Sequence, residues 1–172
     1  MTFLKNLFRR ESDPREQLRP FWHQLVKVAR SPELYAECRV ADTLDGRFDM
    51  LSTILAVAML RMERDDSTLP AAARLAELFV EDMDGQLREA GIGDPTVGKK
   101  LGRLMSALGG RTGALREGLA QEDDAALVAA IERNVTFADG GSAACVASRI
   151  RRFAATLDAL SYDQLLQSNL TL

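Results

Sequence analysis

The sequence contains one histidine, His23, among 172 residues. A zinc site that needs two histidines cannot be built from it, and a Ser-His-Asp triad would have to use a residue on an aromatic helix face. We therefore interpret His23 as a residue on the flank of a helix rather than as a metal ligand. The scarcity of histidine excludes the commonest zinc and serine-hydrolase sites.

Cysteine, secretory signals and long apolar runs are also scarce or missing. Cys38 and Cys145 stand far apart and form no C-x-x-C pair, which favours a reducing, cytoplasm-like compartment. The N-terminus lacks the continuous apolar core of a secretory signal. The longest uncharged apolar segment, 50–60, is about half of the roughly 20 residues that a membrane span needs. We expect a cytoplasmic protein.

Neither sign of charge dominates the chain, which has 22 basic and 25 acidic residues and a net charge of −3. A field this small does not favour general nucleic-acid binding, and we expect no direct binding of DNA. A contact with the ribosome or RNA stays open through three outward arginines of the last long helix, Arg149, Arg151 and Arg152.

The apolar residues recur at helical spacing, and no segment alternates convincingly with period two. We predict an all-α fold, a single-domain helical bundle of about seven to eight helices. The segment 50–60 is apolar almost all round, which is typical of a helix in the middle of a bundle. The predicted helices are 15–30, a short one from Pro32, 45–64, 70–90, 95–108, 114–120, 125–135, a long one after Ser142, and a tail at 162–166 whose last residues fray.

The glycine-rich segment 109–113 is predicted to break a helix. It is not a phosphate loop, because the G-x-x-x-x-G-K-[ST] spacing is absent and no strand precedes it. The glycines at 91 and 93 follow a helix, so a dinucleotide-binding fingerprint is excluded as well.

Residues 1–14 form a predicted amphipathic arm ahead of a helical domain at 15–172. Its basic side carries Lys5, Arg9 and Arg10. Two interpretations remain: the arm packs on its own domain, or it makes a peripheral contact with an anionic membrane surface. The apolar side that would make either contact consists of Phe3, Leu4, Leu7 and Phe8.

A helix-turn-helix corner is predicted around Gly91, where glycine can adopt the left-handed conformation that ends a helix. Asp94 followed by Pro95 is typical of the next helix start. The first helix of the corner carries Glu81, Asp82, Asp84 and Glu89 near its C-terminus, where negative charge opposes the helix dipole. Asp84 can pair with Arg88 one turn later. An inter-helix lattice of ion pairs with Lys99, Lys100 and Arg103 is the structural explanation of these acids.

A second acidic stretch surrounds the start of the helix at 45–64. We favour Asp45 over Asp42 as its N-cap. The acids at this start exceed what capping needs, so a magnesium site remains an alternative. Its ligands would be Asp42, Asp45, Asp49 and Asp82, and the function would be that of a carboxylate-based, magnesium-dependent hydrolase on a helical bundle.

The two acidic stretches together resemble one protein family. They read DTLDGRFDML from Asp42 and DMDGQLREAGIGD from Asp82, and VGKK follows from Val97. This long, ordered pattern closely resembles the ubiquinol-cytochrome c chaperone family. The resemblance runs from Trp22 to Gly118, with no match in the tail. Leu115 departs from it, because the family pattern has an aromatic residue there.

The resemblance implies an assembly factor for respiratory complex III, without cofactor, metal or enzymatic activity. Such a factor binds newly made cytochrome b or another complex III subunit, together with a second assembly factor or the ribosome. We expect a bacterial member, acting on the cytoplasmic face of the inner membrane. An acidic surface could hold the positively charged loops of such a client. The partner-binding residues carried over are Asp42, Asp45, Arg47, Phe48, Asp49, Asp82, Asp84, Arg88, Glu89, Asp94, Lys99 and Lys100.

Overall fold

The computed structural model describes residues 13–89, Gly91 and residues 94–172, without the side chains of Asp94 and Pro95. The apolar residues of the N-terminal arm, Phe3 to Phe8, lie outside the described residues. Within the described ranges the chain is helical, and its only strand-like pairing is an isolated bridge between Val40 and Phe137. The predicted all-α bundle is confirmed.

Eight α-helices form the described part of the chain, together with short 3-10 turns at Glu16–Leu18 and Asp66–Thr68. The helices are α1 (Arg19–Ala29), α2 (Pro32–Ala36), α3 (Leu44–Met62), α4 (Leu69–Glu89), α5 (Asp94–Ala120), α6 (Ala125–Asn134), α7 (Ala143–Asp158) and α8 (Tyr162–Gln167).

Helix α3 is the centre of the bundle and packs against α1, α4, α5 and α7. Ile54, Leu55 and Ala56 are three consecutive residues of α3 that are fully buried. Consecutive residues on a helix point in different directions, so neighbours must cover it on all sides. The prediction that this segment lies inside a bundle is confirmed.

Helix α5 is continuous, so the predicted break at 109–113 is wrong. A glycine inside a helix costs about 1 kcal/mol relative to alanine, but tertiary contacts hold this segment in place. Arg111 and Thr112 are buried, and Leu115 is 1% exposed in the core despite its departure from the family pattern. The helices predicted at 95–108 and 114–120 are therefore one.

The entrance to α3 also differs from the prediction. Thr43 is the N-cap, and its Oγ1 accepts a hydrogen bond from the Gly46 amide at 3.2 Å, whereas Asp45 already lies in the first turn. An added Cβ on Gly46 would lie 2.0 Å from the carbonyl oxygen of Ala41. Gly46 thus lets the chain before α3 pass close to the helix.

The predicted corner between α4 and α5 is confirmed. Helix α4 ends at Glu89, Gly91 has a φ of +77°, and its amide donates to the Arg88 carbonyl at 2.9 Å. Helix α5 begins at Asp94. The C-terminal end of α4 and the N-terminal end of α5 therefore lie side by side at one end of the bundle.

Cys38 and Cys145 form a disulfide, with their Cα atoms 5.3 Å apart. The sequence pattern predicts separate thiols, because linear distance says nothing about proximity in the fold. The surrounding backbone is also joined: the Ala41 amide donates to the Thr136 carbonyl at 2.9 Å, and the Ser142 amide to the Cys38 carbonyl at 3.0 Å. The connection before α3 is thereby fixed to the connection before α7.

The C-terminal residues pack on the bundle, so the predicted fraying is wrong. Leu170 is 3% exposed, and Lys27 of α1 donates to the Asn169 side chain at 3.3 Å. Burial of Leu170 supplies the anchor that the sequence pattern did not reveal. None of the helices described is both long and apolar enough to cross a membrane.

Candidate functional site

The ends of four helices enclose a groove of about 550 Å³. The C-terminal halves of α1 and α4 and the N-terminal halves of α3 and α5 form its walls. This volume lies within the range of clefts that bind ligands or peptide segments. The residues that line the groove are Val26, Ala29, Arg30, Leu44, Asp45, Arg47, Phe48, Leu51, Met83, Gln86, Leu87, Glu89, Lys100, Arg103 and Leu104.

The floor of the groove is apolar. Phe48 lies half-buried in it and packs against Phe79 of the core, with ring centroids 5.9 Å apart. Leu87 and Leu104 are also half-buried, and Leu44 at the mouth is 73% exposed. Large apolar side chains gathered at an open groove are typical of a contact surface for another molecule.

One ion pair stands at the mouth of the groove, beside Leu44. Arg47 Nε donates to Asp42 Oδ1 at 2.6 Å, and both side chains are largely exposed. This hydrogen bond lowers the pKa of Asp42 and raises that of Arg47. The charge of Arg47 is therefore balanced by a residue of its own chain.

Five other charged side chains on the rim make no hydrogen bond or ion pair within the described residues. The cations are Arg30, Lys100 and Arg103, and the carboxylates are Asp45 and Glu89. Lys100 and Arg103 stand one turn apart on α5 and form a basic wall. The rim is thus mixed and slightly basic, which differs from the acidic surface expected from the sequence.

The structure brings parts of both acidic stretches to this groove. The first stretch contributes Asp45, Arg47 and Phe48, and the second contributes Glu89. Lys100 joins them from the start of α5. Five of the twelve carried-over residues therefore share one cavity.

Asp42 stands at the mouth of the groove, paired with Arg47, and the remaining carried-over residues lie elsewhere. Asp82 faces a neighbouring cleft between α1 and α4, where His23 is exposed as predicted for a helix flank. Asp84 pairs with Arg88 at 2.6 Å and lines a separate cleft between α4 and α5. Lys99 is exposed outside the groove. The side chain of Asp94 lies outside the described residues.

The predicted lattice between α4 and the lysines of α5 does not form among the residues described here. Glu81 instead pairs with Arg15 at 3.0 Å and with Arg19 at 3.0 Å. Glu81 therefore stabilises the contact of α4 with the start of α1, and the basic wall of α5 stays unpaired. The positive charge of Lys100 remains available to another molecule.

Asp49, the last acid of the first stretch, points inward and has a structural role. Its Oδ1 accepts from Arg111 at 2.8 Å, and its Oδ2 accepts from the amide and hydroxyl of Thr136 at 2.9 and 2.8 Å. Arg111 also donates to the Asn134 carbonyl at 2.6 Å and to the Ser52 hydroxyl. Sequence reasoning missed Arg111, because it lies in a segment predicted to be a loop.

The buried arginine also supports the floor of the groove. The Arg111 guanidinium carbon lies 5.8 Å from the centroid of the Phe48 ring, within the range of a cation–π contact. Burial lowers the pKa of Arg111, and its contact with Asp49 acts in the opposite direction. The Arg111–Asp49 pair therefore connects Phe48 to the segment after α6.

The structure also bears on the two other hypotheses from the sequence, the magnesium site and the RNA contact. The described residues contain no group of three or more acidic, histidine or cysteine side chains that could hold a metal ion, so the acids proposed for magnesium are not gathered there. Of the arginines proposed for RNA, Arg149 pairs with Glu37, and Arg151 pairs with Asp124 at 2.5 Å. Arg152 remains exposed.

The chain is similar to proteins of one family over most of its length. The model of the family described as ubiquinol-cytochrome C chaperone matches residues 36–172. The match includes the C-terminal third, so the prediction that the tail has no resemblance to the family is wrong. The chain also resembles the crystal structure of the Cbp3 homolog from Brucella abortus, with a TM-score of 0.79 and 32% identity, over 98% of this chain and 95% of that one. No curated protein sequence matches it.

Proposed function

Because the chain belongs to the ubiquinol-cytochrome c chaperone family, we propose that it binds newly made cytochrome b, or another subunit of complex III, in the groove. The family makes the chain an assembly chaperone for respiratory complex III. The identity of the client and its place on the surface are the proposal. The observation that carries it is the meeting of both acidic stretches at one apolar groove.

The chemistry of the groove suits a membrane-protein client. Such a client has apolar helices that must be shielded before insertion or assembly, and its loops are charged. Phe48, Leu87 and Leu104 offer apolar contact, and the exposed Leu44 extends this contact to the mouth. Charged groups on a rim mainly select partners and steer their approach. The groove can therefore hold a client segment reversibly without bond-breaking chemistry.

The site of action follows from the client. Because a polytopic subunit emerges at the inner membrane, we place the chaperone on its cytoplasmic face, in peripheral contact with the bilayer or with a second assembly factor or ribosome. The Phe3 to Phe8 segment is our candidate for the membrane contact. Vesicle flotation with and without residues 1–12 tests this part of the proposal separately.

Site-specific photocrosslinking in cells tests the client and the surface together. A photoreactive amino acid at Leu87, inside the groove, should crosslink to cytochrome b. The same group at Glu132, which is exposed on α6, should give no such product. A deletion strain should lose assembled complex III and regain it with the wild-type chain. Normal complex III in the deletion strain would contradict the proposed client.

A further inference from the structure

We infer that the segment held in the groove is an α-helix with an apolar face and at least one carboxylate on the edge that meets Lys100 and Arg103. This inference rests on the proposed function, and it specifies the chemistry of the client. It makes these two residues of α5 determinants of client specificity. Three observations lead to it: the apolar floor, the unpaired basic wall, and the pairing of Arg47 with Asp42.

The apolar floor requires an apolar face on the occupant. Val26, Phe48 and Leu104 come from three different helices and converge on the same cavity. A strand would present apolar side chains on alternate positions and leave its backbone groups unpaired against this floor. A helix satisfies its own backbone hydrogen bonds and presents a continuous apolar stripe, the mode by which amphipathic helices fill grooves.

The basic wall requires a negative partner. A client that covers Lys100 and Arg103 removes water from two cations that have no partner among the described residues. Covering an unpaired charge is unfavourable unless a group of opposite charge replaces the water. Arg47 does not impose this requirement, because Asp42 already pairs with it. A carboxylate is therefore needed at the α5 edge.

The rim also carries negative charge, which has the reverse requirement. Asp45 of α3 and Glu89 of α4 are carboxylates without a partner in the described part of the chain. A client helix with a lysine or arginine that meets these carboxylates, and an acid that meets Lys100 and Arg103, matches both sets of charges. A reversed charge order places like charges together. The groove thus selects a sequence pattern that contains both signs of charge.

The test uses synthetic helical peptides of about 18 residues with Leu and Ala on one face and Gln on the other. Two positions on one edge of the apolar face, one turn apart, are Glu, Gln or Lys. Binding is measured by fluorescence anisotropy at low salt. The wild-type chain should bind the Glu peptide about tenfold more tightly than the Lys peptide, with Gln between, and added salt should reduce the difference.

The charge-reversed variant K100E/R103E should prefer the Lys peptide. The variant K99E changes a neighbouring exposed lysine that does not line the groove, so it should keep the preference for Glu. Equal binding of the three peptides, or an unchanged preference in K100E/R103E, would overturn the inference. Binding of oleate, as a probe for a lipid site, without binding of any peptide would also overturn the inference. Self-association of the protein that blocks the groove would do the same.

Failure of the proposed function has a different signature. If cytochrome b does not crosslink at Leu87 but the peptides show the charge preference, the groove binds such helices and the client is another protein. If cytochrome b crosslinks and the peptides are not discriminated, the client is right and the specificity of Lys100 and Arg103 is wrong.

Discussion

Arg111 of α5 donates to Asp49 of α3 across 2.8 Å, with the arginine side chain 5% and the aspartate side chain 14% exposed. This pair joins the two helices that supply the basic wall and the Phe48 floor of the groove. Arg111 also binds the end of α6 at Asn134, and Asp49 binds the segment after it at Thr136. The groove therefore depends on a polar network behind it as well as on the residues that face it.

Arg111→Met should destabilise the fold by about 3–5 kcal/mol, because it leaves the carboxylate of Asp49 buried without its cation. Chemical denaturation at neutral pH measures the free energy of unfolding. Asp49→Leu alone should also be strongly destabilising, since it removes the partner of Arg111. The double variant should lose less than the sum of the two single losses. Additive losses would contradict a direct coupling.

Gly46→Ala should destabilise the fold by about 1–3 kcal/mol, because the new Cβ would meet the Ala41 carbonyl oxygen at 2.0 Å. Gly110→Ala is the matched control, since an added Cβ there meets nothing within 4 Å. In that exposed helical position alanine should stabilise by about 0.5–1 kcal/mol. Thermal melting should show a lower melting temperature for Gly46→Ala and a higher one for Gly110→Ala. A similar change in both would contradict the close approach before α3.

The double variant C38A/C145A should lose about 2–4 kcal/mol of stability, because the disulfide restricts the unfolded chain. Wild-type protein treated with dithiothreitol should lose a similar amount, and the variant should not respond to the reductant. Thiol quantification in denaturant should find no free thiol before reduction and two afterwards. Two free thiols in untreated protein, with no response to the reductant, would show that the pair is not bonded.

Asp42 should titrate below the ordinary aspartate pKa of about 3.9, because Arg47 donates a hydrogen bond to its carboxylate. A pKa lower in the folded state means that the pair stabilises the fold above the unfolded pKa. This contribution is lost as the pH falls through the folded value. Carboxyl-carbon NMR titration measures it, and Arg47→Ala should return the pKa toward 3.9. An unchanged pKa in the variant would contradict the pairing.

The sequence correctly predicted helix caps, helix ends and the apolar faces of helices, which depend on residues close together in the chain. Ser142 caps α7 as expected, and Gly91 takes the left-handed conformation at the corner. The apolar run of α3 correctly predicted that this helix lies in the middle of the bundle. These features depend on backbone conformation and helical periodicity, which a single sequence shows directly.

The features that sequence reasoning missed depend on contacts between distant segments. The glycines at 109 and 110 indicated a break, but packing of Arg111 and Leu115 keeps α5 continuous. The acidic stretches indicated one part of the groove. Arg30, directly after α1, and Arg103 of α5 line it as well. No periodicity in one helix reveals which other helix it faces.

The exposed leucine at the groove mouth gives the most direct test of client binding. Leu44→Asp adds a charge where Leu44 is 73% exposed, and Leu69→Asp makes the same change at another exposed leucine, 44% exposed and outside the groove. Each tagged variant is expressed in a deletion strain, and cytochrome b that co-purifies is quantified. We predict that cytochrome b is lost with Leu44→Asp and retained with Leu69→Asp. Equal recovery of cytochrome b with both variants would contradict client binding in the groove.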